Sequence, residues 1–235
     1  MGEKRGIIPD SFINDLRATV HMHKEKSEVL TVMFTDIVGY TKTTAQLSRE
    51  EFNNLHDTFD DLSLPLFEKH DGHVVKKIGD AFLITFKSPT QAVLCGIELQ
   101  KAFSTHNKTA RRPIRIRCAI HTGEVIARKD DVYGEAVNTA SRIEDIATPG
   151  TVMFSDAVFS AMNKSEIKYV NLGMRHLRGM KYPIRLFRVK TAGDDFSRAM
   201  RKIGTIITTL FLFGIIAAIL YFVFVYIISQ PGFLS

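Results

Sequence analysis

The stretch from Leu30 to Thr44 constrains the fold of this chain most, because it joins a buried strand to an acidic residue. Leu30 to Phe34 is an apolar, β-branched run, which is typical of a strand covered on both faces. The run ends in Thr35-Asp36, and a carboxylate at the end of a buried strand needs a cation or a hydrogen-bonding loop as its partner. Beyond it, Ile37 to Thr41 has the glycine and hydroxyl groups of a turn whose backbone N–H groups are able to face phosphate.

A second stretch, from Val74 to Ile84, repeats this pattern. Gly79-Asp80 separates two strand-like runs there, as the tip of a hairpin does. Taken alone, Asp36 or Asp80 is more often structural than functional. If the two strands lie side by side, however, both carboxylates converge on one hard divalent cation or a pair of them. Two acids on matching strand tips therefore favour a metal site.

The remaining pattern alternates helices and strands. Ser48 to Glu51 is a capping box that predicts a helix toward His70, and Ser88-Pro89 predicts the start of another helix. His121 to Glu124 is predicted to be a turn into a further short strand, with His121 a hydrogen-bonded turn residue rather than a catalytic base. The other predicted elements are an amphipathic helix at 10–26, strands at 114–120, 151–154, 167–172 and 184–189, and helices at 134–147 and 156–162. This order predicts an α+β, ferredoxin-like core.

The charge of the chain argues against nucleic acid as its partner, because the formal net charge is only +6. The densest basic cluster lacks the interleaved aromatic residues of a nucleic-acid platform and is better explained as a solvated strand edge. Its members are Arg111, Arg112, Arg115 and Arg117. The two cysteines, Cys95 and Cys118, are far apart in apolar surroundings, which predicts reduced core thiols in a cytosolic domain rather than a disulfide.

The residues from Ile203 to Ile228 contain no charged side chain. A bilayer core requires roughly 20 apolar residues in a helix, so this run predicts a transmembrane helix. Basic residues at 198, 201 and 202 precede it and none follows, which predicts a cytoplasmic location for the preceding domain. The predicted organisation is an N-terminal segment at 1–28, a catalytic domain at 29–190, a basic linker at 191–202, the membrane helix at 203–228 and a short tail at 229–235.

Three motifs occur in order along the soluble part: FTDIVGYT, then KKIGDAFL, then DVYGEAVNTASRIE from Asp131 to Glu144. Together they resemble the catalytic domain of class III adenylyl and guanylyl cyclases over about residues 29–189. The resemblance implies the ferredoxin-like fold, with helices packed on an antiparallel-containing sheet. It also implies two metal ions per site, Mg²⁺ or Mn²⁺, held by Asp36, Ile37 and Asp80.

Asn138 and Arg142 are four residues apart, so a helix projects both from one face. Such a pair is able to hold a ribose oxygen and a phosphate. More commonly, however, these residue types lie on a polar, solvent-facing side of a helix. The resemblance implies that the two stabilise the transition state. Lys181 resembles the phosphate-binding lysine of the family.

The resemblance also implies that Lys76 and Asp131 contact the nucleotide base. A lysine donor and a carboxylate acceptor complement N1 and N6 of adenine. Guanylyl cyclases resemble this site but have Glu in place of the lysine and Cys or another small residue in place of the aspartate. We therefore expect ATP as the substrate, and the expected activity is that of an adenylyl cyclase. A guanylyl cyclase or a catalytically silent nucleotide-binding module is the alternative, and a polymerase palm is disfavoured because the chain lacks room for fingers and thumb.

Lys76 and Asp80 are four residues apart, which on an extended strand is about 13 Å. A base-binding lysine and a metal-binding aspartate with this separation would hardly serve one nucleotide. The spacing therefore predicts that two chains share each site, in a homodimer with two equivalent sites.

Overall fold

The computed structural model describes residues 26–128 and 131–228. The chain divides into a first unit that ends at Val189 and a second that begins at Lys190. The strands are β1 (Lys26–Ile37), β2 (His73–Ile78), β3 (Ala81–Phe86), β4 (Ile116–Arg128), β5 (Asp131–Tyr133), β6 (Val152–Ser155), β7 (Tyr169–Arg175) and β8 (Ile184–Val189). The helices are α1 (Tyr40–Thr44), α2 (Arg49–Lys69), α3 (Pro89–His106), α4 (Glu135–Ile146), α5 (Asp156–Ala161) and α6 (Ala192–Ile228).

The strands of the first unit form one mixed sheet in the order β2-β3-β1-β4-β6-β8-β7, with β5 paired to β4. Strands β2, β3, β1 and β4 are antiparallel neighbours, whereas β4 and β6 run parallel. The four antiparallel strands with α2 and α3 make the βαββαβ core, so the predicted ferredoxin-like α+β fold is confirmed.

Alternation along β1 assigns its side chains to two separate cores. Met33 belongs to the larger core, where it is buried together with Phe59 and Phe67 of α2 and with residues of α3. Val32 belongs to a second core with Leu83, Val125 and residues of α4. Because Asp36 has the same parity as Val32 along the strand, it is on the α4 side of the sheet.

The predicted helix starts are confirmed by their capping contacts. The N–H of Glu51 donates to the Ser48 hydroxyl at 3.2 Å, and the N–H of Ser48 donates to the Glu51 carboxylate at 3.0 Å. In α3 the Ser88 hydroxyl accepts from the N–H of Gln91 at 3.3 Å, and Pro89 occupies the first turn. These contacts fix where α2 and α3 begin.

Two predicted elements differ from the structure, and a third lies almost entirely outside the described residues. The predicted turn at His121 to Glu124 is wrong, because β4 runs through these residues and pairs with β1 along its length. The strand predicted at 167–172 instead begins at Tyr169 and extends to Arg175. The helix predicted at 10–26 lies outside the described residues except for Lys26, which begins β1.

Cys95 and Cys118 are both buried free thiols, as predicted. Burial raises the pKa of the Cys118 thiol to about 12 and also raises the pKa of Cys95. Both thiols are therefore protonated at neutral pH.

The second unit contains α6, a single helix from Ala192 to Ile228. Residues Ile203–Val223 have a mean hydropathy of 2.6, and none of the most apolar window is buried within the structure. By length and composition, this helix is able to cross a membrane. Its apolar side chains, such as Phe211 and Phe222, are about 70% exposed.

Candidate active site

The structure brings Asp36 and Asp80 to neighbouring positions on the sheet. Asp36 of β1 is directly opposite Ala81 of β3, and Asp80 is the residue before Ala81 in the β2–β3 turn. The N–H of Ile37 donates to the backbone carbonyl of Asp80 at 3.2 Å, which ties the two segments together. Partial burial raises the pKa of Asp80, and the nearby negative charge of Asp36 raises it further. The two carboxylates therefore interact electrostatically.

Arg117 is the direct partner of Asp36. Its Nε donates to Asp36 Oδ1 at 2.7 Å, and its Nη2 donates to Asp36 Oδ2 at 2.8 Å. The Arg117 side chain is 26% exposed, so its assignment to a solvated strand edge is wrong, whereas Arg111, Arg112 and Arg115 are exposed. Alternation places Arg117 on the α4 side of the sheet, because its neighbours Ile116 and Cys118 face the larger core.

Arg117 also links the carboxylates to α4. Its Nε lies 2.5 Å from Glu144 Oε1, although this oxygen makes no hydrogen bond of good geometry among the described residues. Burial and the neighbouring Asp36 charge raise the pKa of Glu144 well above its ordinary range. Neither Arg117 nor Glu144 is among the site residues predicted from the sequence. The alternating Ile-Arg pattern of β4 was the available signal for Arg117.

The donors at this end of the sheet fit Mg²⁺ or Mn²⁺. Asp36, Asp80 and the Ile37 carbonyl offer oxygen atoms, which hard divalent cations prefer. The Arg117 guanidinium contacts two carboxyl groups, those of Asp36 and Glu144, and Asp80 interacts electrostatically with Asp36. Acidic groups therefore outnumber this one basic group, which also favours a cation. Across the described ranges, no three acidic, histidine or cysteine side chains are grouped to enclose a metal. A bound ion would therefore need further oxygen ligands from water or phosphate.

The turn between β1 and α1 lies beside these carboxylates. Gly39 has a φ of 75°, a left-handed conformation that glycine adopts without steric cost. The N–H of Val38 donates to the carbonyl of Arg115 at 2.8 Å, which attaches the turn to the start of β4. The turn predicted to face phosphate is therefore fixed against both neighbouring strands.

Lys76 and Asp131, the two predicted base contacts, meet in the structure. Lys76 Nζ donates to Asp131 Oδ2 at 2.6 Å, which joins β2 to β5. The other oxygen, Asp131 Oδ1, accepts from the N–H of Val132 at 2.8 Å. The hydrogen bond from Lys76 is the main reason that the pKa of Asp131 is lowered. A charged donor and a charged acceptor thus lie side by side, 55 residues apart in sequence.

Helix α4 presents Asn138 and Arg142 away from its buried face. Ala136, Thr139, Ala140 and Ile143 are buried against the sheet, whereas Asn138 is exposed and Arg142 is half-buried. The Arg142 guanidinium borders the turn at Gly179, where an added Cβ would lie 3.5 Å from Nη2. Lys181 follows in the same loop, with its ammonium 5.2 Å from the centre of the Tyr182 ring. This loop therefore brings Lys181 into the same region as Arg142.

His121 lies within β4, where its Nδ1 is 2.8 Å from the Ser155 hydroxyl. Burial lowers its pKa, so the imidazole is predominantly neutral at neutral pH. Its partner Ser155 caps α5, since the Ser155 hydroxyl also accepts from the N–H of Val158. This arrangement is that of a structural histidine.

Residues 22–191, well over half of the chain, match the family described as the adenylate and guanylate cyclase catalytic domain. Together with the three motifs and the sheet topology, this match defines the class of protein. The chain belongs to this family of nucleotide cyclases.

Two curated relatives show how far the sequence likeness extends. The serine/threonine-protein kinase pkn2 of Myxococcus xanthus is 39% identical over 171 residues, which cover 72% of this chain and 21% of that protein. The pH-sensitive adenylate cyclase of Mycobacterium tuberculosis is 30% identical over 165 residues, which cover 68% of this chain and 40% of that protein. The chain thus spans less than half the length of either relative.

A solved structure shows the shared fold. The guanylate cyclase domain of RhGC from Catenaria anguillulae, determined in complex with GTP, matches with a TM-score of 0.64 at 22% identity. The match covers 71% of this chain and 98% of that domain. Proteins described as adenylate cyclases and as guanylate cyclases therefore both occur among the relatives.

Proposed function

We propose that this protein is an adenylyl cyclase that converts ATP into 3′,5′-cyclic AMP and pyrophosphate. The observation that carries the proposal is the contact between Lys76 and Asp131 at 2.6 Å. It supplies one hydrogen-bond donor and one acceptor side by side, which is the pattern that complements N1 and N6 of adenine. Guanine presents the reverse pattern at the same edge, so this pair favours ATP over GTP.

The reaction forms one phosphorus–oxygen bond and breaks another. The ribose 3′-oxygen attacks the α-phosphorus, the bond to the pyrophosphate oxygen breaks, and the hydroxyl proton leaves to solvent. Asn138 orients the ribose through its amide, and Arg142 stabilises the charge that develops on the α-phosphoryl group. The half-buried setting of Arg142 supports this role, because a guanidinium partly shielded from water interacts more strongly with phosphate.

Asp36 and Asp80 are the residues that would hold the metal ions, with the Ile37 carbonyl as a further oxygen donor. When bound, two Mg²⁺ or Mn²⁺ ions would offset the triphosphate charge and increase the acidity of the 3′-hydroxyl. Arg117 keeps the Asp36 carboxylate oriented through two hydrogen bonds. Lys181 is proposed to contact phosphate from the loop that also borders Arg142.

Each site is proposed to combine two chains of a homodimer. Lys76 is paired across the sheet with Leu83, whereas Ile78 is paired with Ala81 next to Asp80. The ammonium of Lys76 bonds to Asp131, and Asp80 bonds through its carbonyl to Ile37. Because the base contacts and the metal carboxylates form separate clusters, one chain would give its carboxylates to one nucleotide and its Lys76 to another.

The domain organisation proposed from the sequence includes membrane attachment. Residues 29–190 form the catalytic domain, 191–202 a basic linker, and 203–228 a single membrane-spanning helix. The uncharged, exposed part of α6 that begins at Ile203 supports this assignment, since such a surface is unfavourable in water. The basic residues before it support a cytoplasmic location for the catalytic domain.

Product analysis tests the proposed activity. Purified full-length protein in detergent would be given ATP or GTP with Mg²⁺ or Mn²⁺, and the products separated by chromatography. We expect cyclic AMP from ATP and much less cyclic GMP from GTP. Predominant cyclic GMP would instead identify a guanylyl cyclase, and the absence of both products would identify a silent nucleotide-binding module.

A further inference from the structure

Tyr40 and His56 form a polar contact next to the carboxylate end of the sheet. The Tyr40 hydroxyl lies 2.9 Å from His56 Nε2, which joins α1 to α2. The two rings meet edge to face, with centroids 5.5 Å apart and an interplanar angle of 83°. Phe52 packs against His56 with ring centroids 4.6 Å apart. The hydrogen bond is therefore embedded in a small aromatic cluster.

This contact is a third attachment of the turn that follows β1. Two backbone hydrogen bonds hold the turn, one from Ile37 to the Asp80 carbonyl and one from Val38 to the Arg115 carbonyl. These bonds attach it to the β2–β3 turn and to β4. The Tyr40–His56 bond attaches the end of the turn to α2 and, unlike the other two, it depends on side chains that a substitution can remove.

The negative charge of Asp80 also acts on the Tyr40 hydroxyl. Partial burial and the negative charge of Asp80 raise the pKa of the Tyr40 phenol, so the hydroxyl is protonated at neutral pH and is able to donate. Because the phenol is bonded to a histidine of α2, and Ile37 is bonded to the Asp80 carbonyl, the turn between them is held at both ends.

We propose that the Tyr40–His56 hydrogen bond is a positioning contact, which sets the turn from Ile37 to Tyr40 against the two carboxylates so that a triphosphate meets a preformed site. The inference rests on the proposed nucleotide cyclase function and assigns new roles to Tyr40 and His56. Neither side chain reacts in this scheme. Their contribution is to reduce the ordering that the turn undergoes when a triphosphate binds.

The test combines three substitutions in the full-length protein. Tyr40→Phe and His56→Phe remove the hydrogen bond and keep aromatic packing, whereas His56→Gln retains a polar partner for the hydroxyl. The KM for ATP, kcat, the Tm, and the Kd of a non-cyclisable ATP analogue, by calorimetry, would be measured for each. We expect the two Phe variants to raise KM and Kd about threefold to tenfold, the range given by one neutral hydrogen bond, with a smaller change in kcat.

The double variant Tyr40→Phe/His56→Phe should bind no worse than either single variant, because both remove the same contact. His56→Gln should recover much of the lost affinity. Phe52→Leu is the matched control, since it loosens the same cluster without removing a hydrogen bond. It should lower the Tm and leave the Kd unchanged.

Two outcomes would overturn the inference separately from the proposed function. If the wild-type protein makes cyclic nucleotide but the Phe variants lower only the Tm, the contact is structural and the positioning role is wrong. Additive losses in the double variant would show that the two residues act independently, which also contradicts it. A wild-type protein that neither binds the analogue nor makes product would instead refute the proposed function itself.

Discussion

Arg117 binds the Asp36 carboxylate through two parallel hydrogen bonds, from Nε to Oδ1 at 2.7 Å and from Nη2 to Oδ2 at 2.8 Å. The same Nε lies 2.5 Å from Glu144 Oε1, so one guanidinium contacts two carboxyl groups from different elements. A paired guanidinium–carboxylate contact of this kind fixes orientation as well as charge. Arg117 therefore connects β1, β4 and α4 at the edge of the proposed site.

The first prediction concerns this connection. Arg117→Ala should lower the free energy of unfolding by about 2 kcal/mol, because it leaves a half-buried carboxylate without its charged partner. Chemical denaturation would measure the loss. Arg115→Ala is the matched control, since Arg115 is exposed and its hydrogen bond within the described part of the chain uses its backbone carbonyl. Its effect should stay within about 0.5 kcal/mol, and equal losses in the two variants would contradict the bridging role.

The second prediction tests the metal carboxylates. Asp80→Ala should abolish cyclisation with Mg²⁺ while the Tm remains close to that of the wild type, because the described structure gives the Asp80 side chain no charged hydrogen-bond partner. Asp36→Ala should also abolish activity, but it should lower the Tm because it leaves Arg117 unpaired from Asp36. Product formation and thermal unfolding would be followed together. Substantial turnover by Asp80→Ala would refute the two-carboxylate mechanism.

The third prediction tests base recognition. Lys76→Ala should lower kcat/KM for ATP about tenfold or more, since a hydrogen bond to a charged group contributes about 1.5–3 kcal/mol. Lys77→Ala is the control, because Lys77 has its own ion pair with Asp60 at 2.5 Å and no proposed base contact. Steady-state kinetics with ATP and GTP would compare them. Equal losses with both substitutions would argue against base contact by Lys76.

The fourth prediction tests the shared site. Two inactive variants, Asp80→Ala and Asn138→Ala, would be co-expressed with different tags so that mixed dimers are purified and counted. In a mixed dimer, both substitutions fall in one site, and the other site has neither. The purified mixed dimers should therefore have about half of the wild-type activity. Random pairing makes about half of all dimers mixed, so the unsorted mixture should have roughly a quarter. A mixture as inactive as its parents would show that each chain builds its own site.

The fifth prediction concerns membrane attachment. Deletion of Thr205 to Ser235 should move the protein from the membrane fraction to the soluble fraction, because it removes nearly all of the uncharged part of α6. Fractionation followed by detection of the catalytic domain would measure the change. A matched variant that only replaces Gly214 with Ala should remain membrane-bound. If the truncated protein stays with the membrane, α6 is not its anchor.

The sequence determined those features that depend on neighbouring residues. The capping box at Ser48 and Glu51 specified the start of α2, because both of its hydrogen bonds lie within one turn. The apolar run before Asp36 and the glycine before Asp80 specified two strand ends with carboxylates. The long uncharged run specified the apolar part of α6 from Ile203, although the helix itself begins at Ala192. The three motifs added the family, and with it the ferredoxin-like fold.

The tertiary structure alone decided which distant side chains meet. Arg117 lies 81 residues from Asp36 in the sequence. The alternation of arginine with isoleucine was visible in the sequence, but the partner of Arg117 depended on which strand pairs with β4. For the same reason the predicted turn at His121 is a strand, since its pairing with β1 outweighs the local turn signal of Thr122-Gly123. The Tyr40–His56 contact likewise requires α1 to pack against α2. Local patterns specify an element within a few residues, whereas contacts between elements exist only once the sheet order and helix packing are established.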